Sequence, residues 1–227
     1  MSSLRCLQIN LRHSKAAARN LSQLILHLDI DVVLIQEPSA SFSLFTSKIE
    51  VKNVPVGYSS FHNLSSEHAF GAPILVKSSL HATLTYFGAS NSCCGISISP
   101  NLFFSLYCRP SLGSIPAHVR ALLNYIPPFS KKYTILSGDV NAKNKVWNSA
   151  RTDDCGLELE HIFRESRLSI ANVDLISLPL TRVSSTSLLL ETESVCQTGR
   201  FLTHPLFQII RLSFSLLLVQ ILKMGFL

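Results

Sequence analysis

A chain of 227 residues that is 47% hydrophobic and 15% charged fits one globular domain with a sizeable buried core. Lys and Arg (20) exceed Asp and Glu (14) by six and the pI is near 9.1, which suits a phosphate-backbone partner, although no dense Lys/Arg run forms a nucleic-acid stripe or a nuclear import signal. Cysteines 6, 93, 94, 108, 155 and 196 include no C-x-x-C pair and no His partner at zinc spacing, so they read as buried or free thiols of a reducing compartment. Met1 to Cys6 runs into the first strand without an apolar secretory core, and the expected location is cytoplasmic or nuclear, not secreted.

The first predicted strand is Leu7-Gln8-Ile9-Asn10-Leu11, with Asn10 near its end. Ser14 can cap the helix that follows, and Ala17, Leu21, Leu24, Ile25 and Leu28 fall on one face of it. The run from Asp29 through Val32-Val33-Leu34-Ile35-Gln36 then ends in Glu37, where Pro38 stops it. Residues 4–37 therefore predict a βαβ unit whose right-handed crossover makes the strands parallel and brings Asn10 and Glu37 to one edge. Ligand sites in such sheets lie outside the carboxyl ends of the strands.

Short β-type runs at Ile74–Val76, Ala82–Phe87, Gly95–Ser99 and Leu102–Tyr107 predict an antiparallel meander. A second helix is expected from Ile115 to Tyr125, with Val119, Leu122, Leu123 and Ile126 inward, Pro116 in its first turn and Pro127-Pro128 stopping it. The run Tyr133–Leu136 opens into Ser137-Gly138-Asp139-Val140-Asn141-Ala142, where Asp139 and Asn141 are two apart and so point the same way at a strand end. A carboxylate and an amide presented together suit a water, a metal and a phosphate, although Gly-Asp turns also end many strands for conformational reasons alone. A third helix is expected over Leu157 to Arg167 and a last strand over Leu168–Val173. The predicted fold class is α/β: two mixed sheets packed face to face as a sandwich with flanking helices, its C-terminal part incomplete or degenerate.

In order along the chain, Asn10, Gln36-Glu37-Pro38, Gly71–Val76, Leu106-Tyr107-Cys108-Arg109-Pro110 and Gly138-Asp139-Val140-Asn141-Ala142 resemble the motifs of the endonuclease/exonuclease/phosphatase superfamily, the deoxyribonuclease-like fold. His13-Ser14-Lys15-Ala16-Ala17, Trp147-Asn148-Ser149 and Asp154-Cys155-Gly156 fit more closely the endonuclease that heads the polyprotein of non-LTR retrotransposons. The resemblance covers about residues 4–173. It implies phosphodiester hydrolysis on DNA with magnesium (Mg2+), or manganese (Mn2+) in its place, and no small-molecule cofactor or membrane partner. In an intact element a reverse transcriptase domain would lie on the same polypeptide. Glu37 is the implied metal ligand, with Asn10 supporting the metal shell. Asp139 would orient or deprotonate the attacking water, Asn141 would donate to the phosphate, Tyr107 would add a phenolic hydrogen bond, and Arg109 would contact the DNA backbone. Each has a plain structural alternative: a strand-end amide for Asn10, a solvated strand end for Glu37, a rim residue for Tyr107, and an ordinary surface cation for Arg109. Trp147 reads as a packing residue and stays outside the site.

In the resembled family the last third supplies an Asp on one strand and then a Ser-Asp-His turn. Neither is legible: Ser177–Leu190 has no carboxylate, and beyond His161 the only histidine is His204, in Thr203-His204-Pro205. Phe207–Leu212 can be encoded by TTT-CAG-ATC-ATC-CGT-TTA, and those bases read from the third give Ser-Asp-His-Pro, so a frameshift between about 173 and 206 is one reading that codon degeneracy permits. The chain then divides into a nuclease-like domain at 1–176 and a degenerate tail at 177–227 with no selected structure in its last part. Leu206–Leu222 is apolar, but Arg211 and Gln220 interrupt it short of a membrane span. Two functions follow: a DNA endonuclease domain, truncated and weakly active or inactive, or a non-catalytic remnant with residual metal or DNA binding.

Overall fold

The computed structural model describes residues 4–65, 71–88, 92–110, 114–128, 130, 133–147, 149–166, 169–170, 207–211 and 217–220. Strand β1 (Leu4–Asn10), helix α1 (Lys15–His27) and strand β2 (Val32–Gln36) form the expected βαβ unit, with β1 and β2 parallel and Asn10 beside Gln36. The Ser14 hydroxyl accepts the Ala17 N–H at 3.1 Å and caps α1, a contact worth about 1 kcal/mol. The buried face of α1 is Ala18, Leu21, Leu24 and Ile25, while Ala17 and Leu28 are only partly covered.

Three strands follow that the sequence did not announce. β3 (Ala40–Ser43) and β4 (Lys48–Val51) form a separate antiparallel hairpin, and β5 (Tyr58–Phe61) pairs with β6 (Ile74–Lys77). The Ile74–Val76 run does not join the predicted meander: β6 lies between β2 and β5, antiparallel to both. Ile74 and Val76 face the core between the sheets and Leu75 packs with the α1 cluster, so this run is buried on both faces and needs a central position. The meander itself is β7 (Thr83–Phe87), β8 (Cys93–Ile98) and β9 (Asn101–Tyr107).

Helix α2 (Ile115–Tyr125) buries Val119, Leu122 and Leu123 as expected, with Ile126 just beyond it, and leads to β10 (Thr134–Asp139), which pairs parallel with β9. Helix α3 (Asp154–Glu165) begins earlier than expected, because Asp153 caps it by accepting the Gly156 N–H at 2.8 Å. Strand β11 (Ser169–Ile170) is the described part of the strand expected over 168–173. Two further strands, β12 (Phe207–Arg211) and β13 (Leu217–Gln220), come from the segment set apart as a tail. β12 runs parallel beside β1, and β13 runs antiparallel between β10 and β11, so both sheets draw a strand from beyond residue 176. Residues 171–206, with the Thr203-His204-Pro205 turn, lie outside the described residues.

The strand orders are β12-β1-β2-β6-β5 in one sheet and β11-β13-β10-β9-β8-β7 in the other. Cys6, Val32, Leu34, Ile74 and Val76 of the first meet Cys94, Ile96, Phe103 and Ile135 of the second, which makes the sandwich core. Helix α1 covers the outer face of the first sheet. Helices α2 and α3 cover that of the second, where Val119, Leu122, Leu159, Ile162 and Phe163 pack on Phe104, Leu106 and Leu136. β9 and β10 approach closely at Gly138, where a Cβ would lie 1.9 Å from the Leu106 carbonyl oxygen. Among the described residues, Cys6, Cys93, Cys94, Cys108 and Cys155 are free thiols, and no helix is long and apolar enough to cross a membrane.

Candidate active site

Asn10 and Glu37 come from the ends of β1 and β2 in one sheet, and Tyr107 and Asp139 from the ends of β9 and β10 in the other. Two hydrogen bonds stitch these ends across the sandwich. Tyr107 donates its hydroxyl to Glu37 Oε1 at 2.5 Å, and Asn10 Nδ2 donates to Asp139 Oδ2 at 3.1 Å, joining residues 129 apart in sequence. The other Asp139 oxygen accepts the Asn141 N–H at 3.0 Å, so both of its oxygens are held.

The local backbone explains this placement. Glu37 and Asn141 both have φ of +48°, a left-handed conformation that costs a non-glycine residue about 1–2 kcal/mol and that asparagine tolerates better than glutamate. Glu37 is fixed there from both sides: its N–H donates to the Gly71 carbonyl at 3.1 Å, and its carbonyl accepts the His13 N–H at 2.9 Å. Arg12 and His13 form a second left-handed pair at +47° and +57°, and the Arg12 N–H donates to Asn10 Oδ1 at 2.9 Å. Among the described residues, four of the eight non-glycine residues in this region, Arg12, His13, Glu37 and Asn141, lie at or beside the site.

Burial pushes the Asp139 carboxyl above the ordinary carboxylate range; the Asn141 and Asn10 hydrogen bonds work against that shift, and the nearby Glu37 charge adds to it. Burial likewise pushes the Tyr107 phenol up, reinforced by its bond to Glu37 and opposed by Arg109. Arg109 is half-exposed at the rim, two residues beyond Tyr107. The Asn141 side-chain amide donates to the Cys108 carbonyl at 3.0 Å, which leaves its second amide hydrogen to point elsewhere. Trp147 is buried, donates its indole N–H to the Ala142 carbonyl at 3.1 Å and packs edge-on against Phe163.

The sequence assigns His13 no role, yet its ring stands beside Glu37: Nδ1 is 3.1 Å from the Pro38 carbonyl and Nε2 is 3.9 Å from Glu37 Oε1. Gln8, Gln36 and Ser105 form a buried polar chain just beneath the site. Ser105 could have been found as the one polar residue in the otherwise apolar run Leu102-Phe103-Phe104-Ser105-Leu106.

The donor set suits a hard cation. Two carboxylates and an amide are oxygen donors, and among the described residues no lysine or arginine forms an ion pair with Asp139, whose charge burial disfavours. Among the described residues no cluster of three or more His, Cys, Asp or Glu side chains could enclose a metal. A magnesium ion held by one or two carboxylates, waters and a substrate phosphate needs no such cluster.

Residues 101–192 match a family model described as endonuclease-reverse transcriptase. No curated protein matches the sequence. Among solved structures, the endonuclease domain of TRAS1, a telomere-specific non-LTR retrotransposon, is similar with a TM-score of 0.57 and 24% identity, over 74% of this chain and 72% of that one. The AP endonuclease LMAP from Leishmania major is similar with a TM-score of 0.52 and 13% identity, over 72% of this chain and 66% of that one. At these identities the two structures speak for the fold. The chain thus has the fold of these endonucleases, and its residues 101–192 are similar to the endonuclease-reverse transcriptase family.

Proposed function

We propose that the chain is the endonuclease domain of a non-LTR retrotransposon, a DNA phosphodiester hydrolase that uses Mg2+, or Mn2+ in its place, and that its activity here is weak or absent. The observation that carries this reading is the pair of cross-sheet bonds, Glu37 to Tyr107 and Asn10 to Asp139, which gather two carboxylates, an amide and a phenol at the carboxyl ends of four strands.

Glu37, with Asn10 beside it, would hold the cation, and the cation would neutralise phosphate charge and stabilise the leaving oxygen. Asp139 accepts the proton of the attacking water. Its raised proton affinity suits that task, and the two donors on its oxygens fix its orientation. Asn141, anchored through Cys108, offers its free amide hydrogen to a phosphate oxygen as charge builds there. The Tyr107 hydroxyl is engaged by Glu37 and reaches a phosphate only when Glu37 turns to the cation. Arg109 on the rim serves the DNA backbone. The reverse transcriptase of the intact element would follow on the same polypeptide.

The weak activity rests on the sequence, in which the family's final Asp and Ser-Asp-His turn are not legible; loss of a general acid or base costs about 10²–10⁴-fold. The same observation favours the second reading, a non-catalytic remnant that still binds metal or DNA. The test is magnesium-dependent nicking of supercoiled plasmid by this chain beside a version whose frame is restored after residue 173. Nicking by the restored form, lost in its Glu37→Ala variant, is expected. A folded restored form that leaves the plasmid intact would overturn the nuclease reading, and strong nicking by the present chain would overturn only its weak activity.

A further inference from the structure

The site stands on a second polar layer that hydrolysis itself does not use. Gln8 lies two residues before Asn10, Ser105 two before Tyr107, and Ser137 two before Asp139. Alternate residues of a strand share a face, so each sits directly beneath its site residue. The pairing of β9 with β10 repeats this in register, with Ser105 opposite Ser137 and Tyr107 opposite Asp139. On β2 the corresponding residue is Gln36, immediately before Glu37, because the left-handed turn at Glu37 breaks the alternation.

Three members of this layer form one directional chain. Gln8 Nε2 donates to Gln36 Oε1, Gln36 Nε2 donates to Ser105 Oγ at 3.0 Å, and Ser105 Oγ donates to the Ile35 carbonyl at 2.9 Å. Gln36 and Ser105 are fully buried and Gln8 nearly so, next to the apolar side chains of the sandwich core. Stability alone does not call for them, since a set of apolar residues of matching shape serves a core at least as well. Their position relative to the site supplies the reason. Gln36 to Ser105 and Glu37 to Tyr107 are successive rungs from the end of β2 to β9, and the lower rung sets the spacing across which the upper one closes.

We propose that Gln36 and Ser105, anchored by Gln8, are positioning residues that hold the Glu37 carboxylate where it takes a divalent cation, an inference that rests on the reading of Glu37 as the cation-holding group. Groups behind a metal ligand typically change affinity by about 10- to 100-fold when removed. Mn2+ binding to the full chain, read by the electron paramagnetic resonance signal of free manganese, tests this without any need for turnover. The parent is expected to bind and Glu37→Ala to lose binding. The triple variant Gln8→Leu/Gln36→Leu/Ser105→Ala is expected to keep the parent's melting temperature and to bind about tenfold weaker or worse. A folded triple variant that binds as tightly as the parent would overturn the positioning role alone. A parent that binds no Mn2+, or a Glu37→Ala variant that binds unchanged, would overturn the cation reading and the inference with it. Should the triple variant fail to fold, Ser105→Ala and Ser105→Thr decide: weaker binding only in the first, which lacks the hydroxyl, supports the role, and equal affinities overturn it.

Discussion

Both ends of β2 carry acidic side chains, and the fold treats them in opposite ways. At the amino end, Lys77 Nζ lies 2.7 Å from a carboxylate oxygen of Asp29 and 2.7 Å from one of Asp31, and Asp31 also accepts the Arg5 N–H at 2.8 Å. The hydrogen bond to Lys77 and its charge hold Asp29 below the usual carboxylate range. Burial works against the charge on Lys77, but its bonds to Asp29 and Asp31 more than offset that, and its pKa is raised. At the carboxyl end Glu37 and Asp139 receive a phenol, an amide and a backbone N–H, and burial pushes Asp139 up. A carboxylate pair answered by a lysine is complete within the chain. Glu37 and Asp139 are hydrogen-bonded by neutral donors, with Arg12 acting on Asp139 only through its charge and His13 Nε2 3.9 Å from Glu37, and it is this less fully answered pair that we propose as the functional one.

The sharpest way to break this contrast is to remove charge at each end in the frame-restored protein. Asp139→Ala should lower magnesium-dependent nicking by about 10²–10⁴-fold, whereas Asp29→Asn should leave it within about twofold. Equal losses would erase the distinction. Next in size is Gly138→Ala, because the added methyl would meet the Leu106 carbonyl and push β10 away from β9 beneath Asp139. It should cost about 1–3 kcal/mol, read as a lower urea midpoint. Asp31→Ala should cost a comparable or smaller amount, about 1–2 kcal/mol, since it removes a part-buried charged acceptor from Lys77 and Arg5. Its Mn2+ affinity should stay at that of the parent.

The smallest effects are in pH dependence and carry opposite signs at the two ends. A carboxyl whose pKa is raised on folding stabilises the fold below its unfolded pKa and loses that contribution as pH rises through the raised value. Asp139→Asn should therefore raise the melting temperature at neutral pH, with the gain shrinking in acid. For Asp29, held low, stability is present above the unfolded value and lost as pH falls through the lowered one. Asp29→Asn should lower the melting temperature slightly at neutral pH and not at all in strong acid, and added salt should weaken even that, because Asp29 is exposed. Parallel thermal scans of both variants across pH check the two signs together.

Legibility followed how much of each element's signal was local. The helical face of Leu21, Leu24 and Ile25 and that of Val119, Leu122 and Leu123 needed only a period, and both helices form where that period runs. β3 and β5, Ala-Ser-Phe-Ser and Tyr-Ser-Ser-Phe, are four-residue strands without a sustained apolar run, and nothing in them separates a short strand from a loop. The sheet to which Ile74–Val76 belongs was equally hidden, because a run buried on both faces reads the same beside β2 as in a meander. Among the candidate site residues, Glu37 and Asp139 are legible in the sequence as carboxylates at strand ends. His13 did not, since its ring reaches Glu37 only through a left-handed turn that its sequence does not demand.

What the sequence determined by itself was the set of strands and helices whose burial period is local, the parallel βαβ start, and the chemistry available at each strand end. Those follow from side-chain periodicity and from the handedness of the crossover, which act over short stretches of chain. Only the tertiary structure decided that Asn10 would meet Asp139 and Tyr107 would meet Glu37, that Gln36 would reach Ser105 across the core, and that β12 and β13 would pair with β1 and β10. Each of these joins residues or strands from different parts of the chain. The reason is that packing two sheets face to face fixes which strand ends coincide, and no local pattern encodes that coincidence.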